Sequence, residues 1–256
     1  MDYEQIIFGK DAGVVTITFN RTAKLNAFTF RMLDEVNHVL THQTSDARVV
    51  VFRGAGRAFS AGDDLFDMGG GGPPLEKMRA GHHAMIKRIR ALRIPVMAAI
   101  HGYAFGAAFD LILACDFRVM AQRAVTGDIR INRAINTMSG AAFWLPRYVG
   151  MGRASEILML GERVTAEQAL NWGLVTRVFP DDQFDAEVKS FAERIATMPT
   201  TVMGANKALM NYGLEHLLPE TLDTEARQLL ETFKSADNRE GVRAFAEKRA
   251  PRFVGR

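Results

Sequence analysis

Two segments rich in small residues stand out for what they leave open. In Arg57-Ala-Phe-Ser-Ala-Gly-Asp-Asp-Leu65 a strand is expected to end at Ala61-Gly62, where missing bulk lets a ligand approach backbone N–H groups. In His101-Gly-Tyr-Ala-Phe-Gly-Ala-Ala-Phe-Asp-Leu111 a second strand turns through Gly102 and Gly106 into a helix, whose first-turn N–H groups have no partner within the helix. Two such groups converging on one point would make an oxyanion hole, which stabilises negative charge developing on a carbonyl oxygen. Small residues also let a strand and a helix pack closely, and either segment alone reads that way. The two together shift the balance toward a ligand site.

Other chemistries find less support. The sequence has no G-x-x-x-x-G-K-[ST] phosphate loop, no G-x-S-x-G elbow and no H-E-x-x-H, and Gly54-Ala-Gly56-Arg-Ala-Phe59 lacks the third glycine of a dinucleotide fingerprint. His38 and His42 stand four apart on an expected helix without an evident third metal ligand, so no metal is expected. His82 and His83 follow a glycine-rich stretch and are expected on a helix surface, with one within reach of a pocket. The single cysteine, Cys115, excludes an intrachain disulfide and suits a reducing compartment. With 32 basic and 29 acidic residues the net charge is +3, too small to advertise a nucleic-acid surface. Acids at Asp2 and Glu4 do not resemble a targeting leader, and the chain reads as cytoplasmic. The most apolar stretch, Pro95 to Phe117, contains Gly102, Gly106 and Asp110, so a buried strand and a buried helix are expected there rather than a membrane span.

The elements that would position these segments alternate. Gly13 to Asn20 has the β-branched alternation of a strand, and a helical period starts at Thr29 and runs through Met32, Val36, Val39 and Leu40. Arg48 to Arg53 is a short apolar run typical of a buried parallel strand, followed by a helix over Leu75 to Leu92. Ile94 to Ile100, Phe105 to Ala114 and Phe117 to Ala121 repeat strand, helix and strand. Between the second strand and its helix, Met68-Gly-Gly-Gly-Gly-Pro-Pro74 is expected to be a mobile loop. From Arg153 onward the pattern turns helical, with one strand candidate at Val175 to Phe179. The fold class is thus α/β: a sheet-based core over 1–195 and a helical C-terminal region over 196–256.

Taken in order, several runs resemble the crotonase, or enoyl-CoA hydratase/isomerase, superfamily. They are Lys24-Leu-Asn-Ala27, Ala58-Phe-Ser-Ala-Gly-Asp-Asp-Leu65, Ile94 through Gly106, Ala114-Cys-Asp-Phe-Arg118, Ala166 through Val175, and Asn238 through Arg249. The resemblance spans essentially the whole chain. It implies a spiral of ββα units, a C-terminal helical trimerisation region, and a homotrimer that in some members pairs into a hexamer. The implied substrate is an acyl-CoA thioester, with no cofactor beyond the coenzyme A that the substrate carries.

Carried over residue by residue, the resemblance places the oxyanion donors on the backbone N–H of Ala61 and Ala107. It lays coenzyme A along Lys24, Leu25, Asn26 and Ala27 and along the segment Gly62, Asp63, Asp64 and Leu65, with Gly106 beside them. Arg21, Lys24 and Arg57 are candidates for its phosphates, and each is equally readable as a surface charge. Phe245 and Lys248 of a neighbouring subunit resemble adenine-side contacts. The first of the family's two catalytic glutamates falls on Asp110, one methylene shorter, and the second on Arg130, which cannot act as a base at neutral pH. Two alternatives stay open for Arg130: it pairs with Asp110 and lowers its pKa, or it binds an acidic acyl group. Asp128 is read as a turn residue or as a substitute carboxylate. The stretch Asn136-Thr-Met-Ser-Gly140 lacks the further aspartate of some isomerases and dehalogenases. Hydration of a 2-enoyl-CoA is the leading expectation, with a one-base double-bond shift or acyl-CoA binding without turnover behind it.

Overall fold

The computed structural model describes residues 2–65 and 75–255. The expected glycine-rich loop, Met68 to Pro74, lies outside them. The chain opens with β1 (Ile6–Asp11) and β2 (Val14–Phe19), followed by α1 (Phe30–His42) and β3 (Val49–Gly54). Then come α2 (Leu75–Ala91), β4 (Val96–Ile100), β5 (Tyr103–Phe105), α3 (Ala107–Ala114), β6 (Phe117–Ala121) and β7 (Val125–Gly127). The remaining elements are α4 (Ala141–Val149), α5 (Met151–Ser155), β8 (Val164–Thr165), α6 (Ala166–Asn171), β9 (Arg177–Phe179), α7 (Phe184–Thr197), α8 (Thr200–Gly213), α9 (Leu218–Phe233) and α10 (Ala236–Ala246).

Strands β2, β3, β4, β6 and β9 run parallel in that order, with β1 antiparallel on the outer side of β2. The apolar runs of β3 and β4 follow from burial on both faces, and every residue of β4 is buried. A second sheet pairs β5 parallel with β7 and β7 antiparallel with β8. The chain is α/β, as its residues suggested. Helix α1 starts where expected because Thr29 accepts the Met32 N–H at 3.0 Å and caps it. The apolar stretch Pro95 to Phe117 becomes a buried strand, a short strand and the wholly buried α3. No helix among the described residues is long and apolar enough to cross a membrane.

Two details depart from expectation. Phe105 belongs to β5, and the helix begins only at Ala107, after Gly106 turns the chain with φ +59°. The region after Arg153 holds a second strand, β8, whose two residues pair with β7. Asp128, read as a turn residue or as a substitute carboxylate, caps a 3-10 turn over Ile129–Arg133 by accepting the Arg130 N–H.

The core beneath the first candidate segment is aromatic. Phe19 packs against Phe28, Phe59 and Phe52 at ring distances of 5.0, 5.3 and 5.9 Å, and all four rings are fully buried. Phe28 and Phe59 flank the site described next, so this cluster is its foundation.

Candidate active site

Asn26, fully buried, ties together the two loops that lead into the site. Its side-chain amide donates to the carbonyls of Ala55 and Ala58 at 2.9 and 2.7 Å, and its own carbonyl accepts the Ser60 hydroxyl at 2.8 Å. Leu25 and Asn26 adopt left-handed φ values of +49° and +56°, and this network holds them there. Ser60 then bonds Tyr103 and Phe105 across the isolated bridge to Ala104, joining the first segment to the second.

The N–H groups can now be assigned. Ala61 donates to the Leu25 carbonyl at 2.9 Å, so it is not available to a ligand, contrary to expectation. Gly62 donates to the Ser60 hydroxyl, and Asp64 to the Phe28 carbonyl. Asp63 is left with a backbone N–H that has no partner among the described residues, as is Ala107 at the start of α3. The two strands of chain touch: a Cβ on Gly62 would lie 3.4 Å from the Ala107 nitrogen and 2.7 Å from the Phe105 carbonyl oxygen. Only glycine fits there, and its φ of +93° turns the chain between Ala61 and Asp63.

Beside these donors lies a buried charge cluster. Arg130 donates through Nε and Nη2 to both oxygens of Asp128, at 2.8 and 2.6 Å, and through Nη1 to Asp110 Oδ2 at 2.8 Å. Nη2 also reaches the Thr137 hydroxyl at 3.1 Å. Asp110 Oδ1 accepts the Thr137 hydroxyl and the Ala141 N–H. The side chains of Asp110, Asp128 and Arg130 are 1%, 3% and 12% exposed, so the guanidinium faces outward and the carboxylates lie behind it. Of the two alternatives for Arg130, the pairing with Asp110 is found. With a carboxylate on each side, the guanidinium has no spare charge for an acidic acyl group. The expected fall in the Asp110 pKa is reversed: burial pushes it above the ordinary carboxylate range, and the Arg130 charge and Thr137 bond only partly counter that. Burial also opposes the Arg130 charge, but its bonds to Asp128 and Asp110 outweigh that and hold it protonated.

A cavity of about 540 Å³, in the range of small-molecule sites, gathers most of the candidate residues. Lys24, Ala27, Ala61, Gly62, Asp63, Asp64 and Leu65 line one side, and Gly106, Ala107, Ile129 and Arg130 the other. Backbone donors and a guanidinium thus meet at one opening, with the Asp110 and Asp128 carboxylates behind the guanidinium rather than on the cavity wall.

Comparison with known proteins gives the family. The family model described as "Enoyl-CoA hydratase/isomerase" matches residues 9–256. The chain belongs to the enoyl-CoA hydratase/isomerase family. A probable enoyl-CoA hydratase of Rhodobacter capsulatus is 36% identical, with all of both chains covered. The 1,2-epoxyphenylacetyl-CoA isomerase of Escherichia coli is 33% identical over 99% of each chain. The crystal structure of a putative enoyl-CoA hydratase from Streptomyces coelicolor superposes with a TM-score of 0.94 at 30% identity, covering 100% of this chain and 96% of that one.

Within this family member, the remaining candidates are placed as follows. Arg21 is committed, donating to the Ala27 carbonyl and to Asp64 Oδ2 at 2.7 and 3.0 Å, so it braces the cavity wall. Lys24 is exposed at the cavity rim, while exposed Arg57 and half-buried Leu25 are not among its lining residues. Phe245 is 88% exposed in a separate apolar groove on α9 and α10, and Lys248 is exposed just beyond α10. A single chain does not bring either to the cavity. The His38 and His42 rings lie 4.8 Å apart at a tilt of 50°, and among the described residues no group of three or more His, Cys, Asp or Glu side chains is placed to hold a metal.

Three participants escaped the sequence reading. The free N–H of Asp63 depends on which neighbour the Leu25 carbonyl takes, and no spacing shows that. Thr137 was passed over as part of a stretch lacking aspartate. His82, expected on a helix surface, is fully buried, with Nε2 2.7 Å from Asp63 Oδ1. The aspartate at position 63, 19 residues before it, was the available signal.

Proposed function

We propose that this chain hydrates a 2-enoyl-CoA, binding the thioester carbonyl through the N–H groups of Asp63 and Ala107 and moving protons through Asp110. The observation that carries the reading is the pair of unpartnered N–H groups lining one cavity beside a buried carboxylate. As water adds to the β-carbon, electrons move toward the thioester oxygen, and two fixed donors stabilise that charge. The Asp110 carboxylate accepts the proton that water releases, then returns it to the α-carbon, so one group serves as base and then acid. Arg130 uses four of its five N–H bonds on Asp128, Asp110 and Thr137, which leaves one on Nη1 to orient the attacking water next to Asp110. The raised Asp110 pKa suits the acid half of the cycle.

A double-bond shift is the second reading, favoured by the isomerase relative and by a single usable carboxylate, since isomerisation needs only one proton shuttle. Both readings place Asp110 at the centre. With crotonyl-CoA, Asp110→Ala is expected to lower kcat at least about 100-fold with KM little changed. Activity within a few-fold of wild type would remove Asp110 from the chemistry.

The reading extends to assembly. Residues 196–256 are proposed to form a homotrimer, in some conditions a dimer of trimers, in which Phe245 and Lys248 of one subunit reach the coenzyme A of another. The support is the exposed apolar surface of α9 and α10, which includes Leu222, Leu229, Phe233, Val242 and Phe245.

A further inference from the structure

We propose that His82 is a positioning residue: it holds the Asp63 carboxylate away from the oxygen that the Asp63 N–H binds. The inference rests on reading the cavity as a thioester site. Two observations carry it. His82, on α2, is fully buried, and its Nε2 lies 2.7 Å from Asp63 Oδ1. Its Nδ1 is buried with no partner among the described residues. Among the described residues Asp63 is therefore the only polar contact of the imidazole, and that bond orients the ring. With Nε2–H donating to the carboxylate, Nδ1 is left as an acceptor. The Phe28 ring lies beside the imidazole at 6.2 Å, and its backbone bonds the chain on both sides of Asp63.

An aspartate at this position is a hazard to the site. Asp63 lines the cavity with its side chain 10% exposed, so its charge is only partly screened. Aspartate side chains readily accept nearby backbone N–H groups, and a released Asp63 carboxylate would compete for the donors that the substrate needs. It would also stand close to the oxygen on which negative charge develops, in a weakly screened setting. The His82 bond prevents both. The charge stays on the α2 side of the loop while the N–H of the same residue faces the cavity.

The test compares His82→Gln, whose amide can reach Asp63 as Nε2 does, with His82→Asn, which is too short, and His82→Leu, which has no donor. Two readouts are taken with crotonyl-CoA: steady-state kinetics, and the infrared shift of the thioester carbonyl on binding. His82→Asn and His82→Leu are expected to lose about 30-fold in kcat with KM within about 3-fold, less than loss of a whole oxyanion donor, and to show a smaller carbonyl shift. His82→Gln should retain more of both. The double variant Asp63→Asn with His82→Leu should turn over faster than His82→Leu alone, because the unpaired charge is gone. Equal loss in the Gln and Asn variants, or a double variant no faster than His82→Leu, would overturn the proposal and leave His82 a packing residue. If wild type fails to bind crotonyl-CoA, the thioester reading falls. If it binds with the same carbonyl shift in every variant, the role of His82 alone falls.

Discussion

Asp110, Asp128 and Arg130 form a site in which two carboxylates share one guanidinium. Burial raises the Asp110 pKa, which has a consequence for stability. A group whose folded-state pKa lies above its unfolded value of 3.8 adds stability below that value, and the contribution is lost as pH rises through the folded pKa. Asp110→Asn removes this dependence. Relative to wild type, the Asn variant is therefore expected to gain in Tm as pH is raised from about 4 to 8, while its activity is lost. Thermal melts across that range check it, and a variant Tm that falls relative to wild type as pH rises would contradict it. At this scale the sequence was partly legible. Opposite charges at Asp110 and Arg130 announced a pair, but not that burial would outweigh the guanidinium. The hole was placed on Ala61 because spacing cannot reveal that Leu25 already accepts its N–H.

Elements position the site by close approach of backbone to backbone. Gly62 and Gly102 both carry positive φ, and a Cβ on Gly102 would meet the Arg57 carbonyl oxygen at 2.0 Å. Gly62→Ala is expected to force Phe105 and Ala107 away from Asp63 and to lower kcat about 100-fold, the scale of one oxyanion donor. Stability should fall by more than about 1–2 kcal/mol, the cost of a left-handed alanine, because the Phe105 carbonyl must move as well. Kinetics and urea melts measured on one preparation separate these effects, and a variant with normal kcat would break the link between that approach and the hole. Strands β2, β3 and β6 and helix α1 were legible because β-branched runs, apolar periodicity and the Thr29 cap are local signals. Strands β5, β7 and β8 were not. They have two or three residues each, and only pairing with one another makes them strands.

For the whole molecule, composition and order of motifs gave the α/β class and the family, while the subunit arrangement lies in surfaces that a single chain leaves bare. Helix α9 has no buried residue, yet Leu218, Leu222, Leu229 and Phe233 recur at helical spacing and are more than half exposed. If the proposed trimer forms, the double variant Leu222→Glu with Leu229→Glu is expected to dissociate it in light scattering and to raise KM for acyl-CoA about 10-fold, through loss of the contacts proposed for Phe245 and Lys248. A wild-type protein that scatters as a monomer would contradict the assembly. The central claim concerns the reaction itself. Purified wild type is incubated with crotonyl-CoA in H2(18)O, and the acyl product is weighed by mass spectrometry. The account predicts 3-hydroxybutyryl-CoA carrying one (18)O, formed far faster than by Asp110→Ala. An unlabelled acyl product, or crotonyl-CoA bound and returned unchanged, would contradict it.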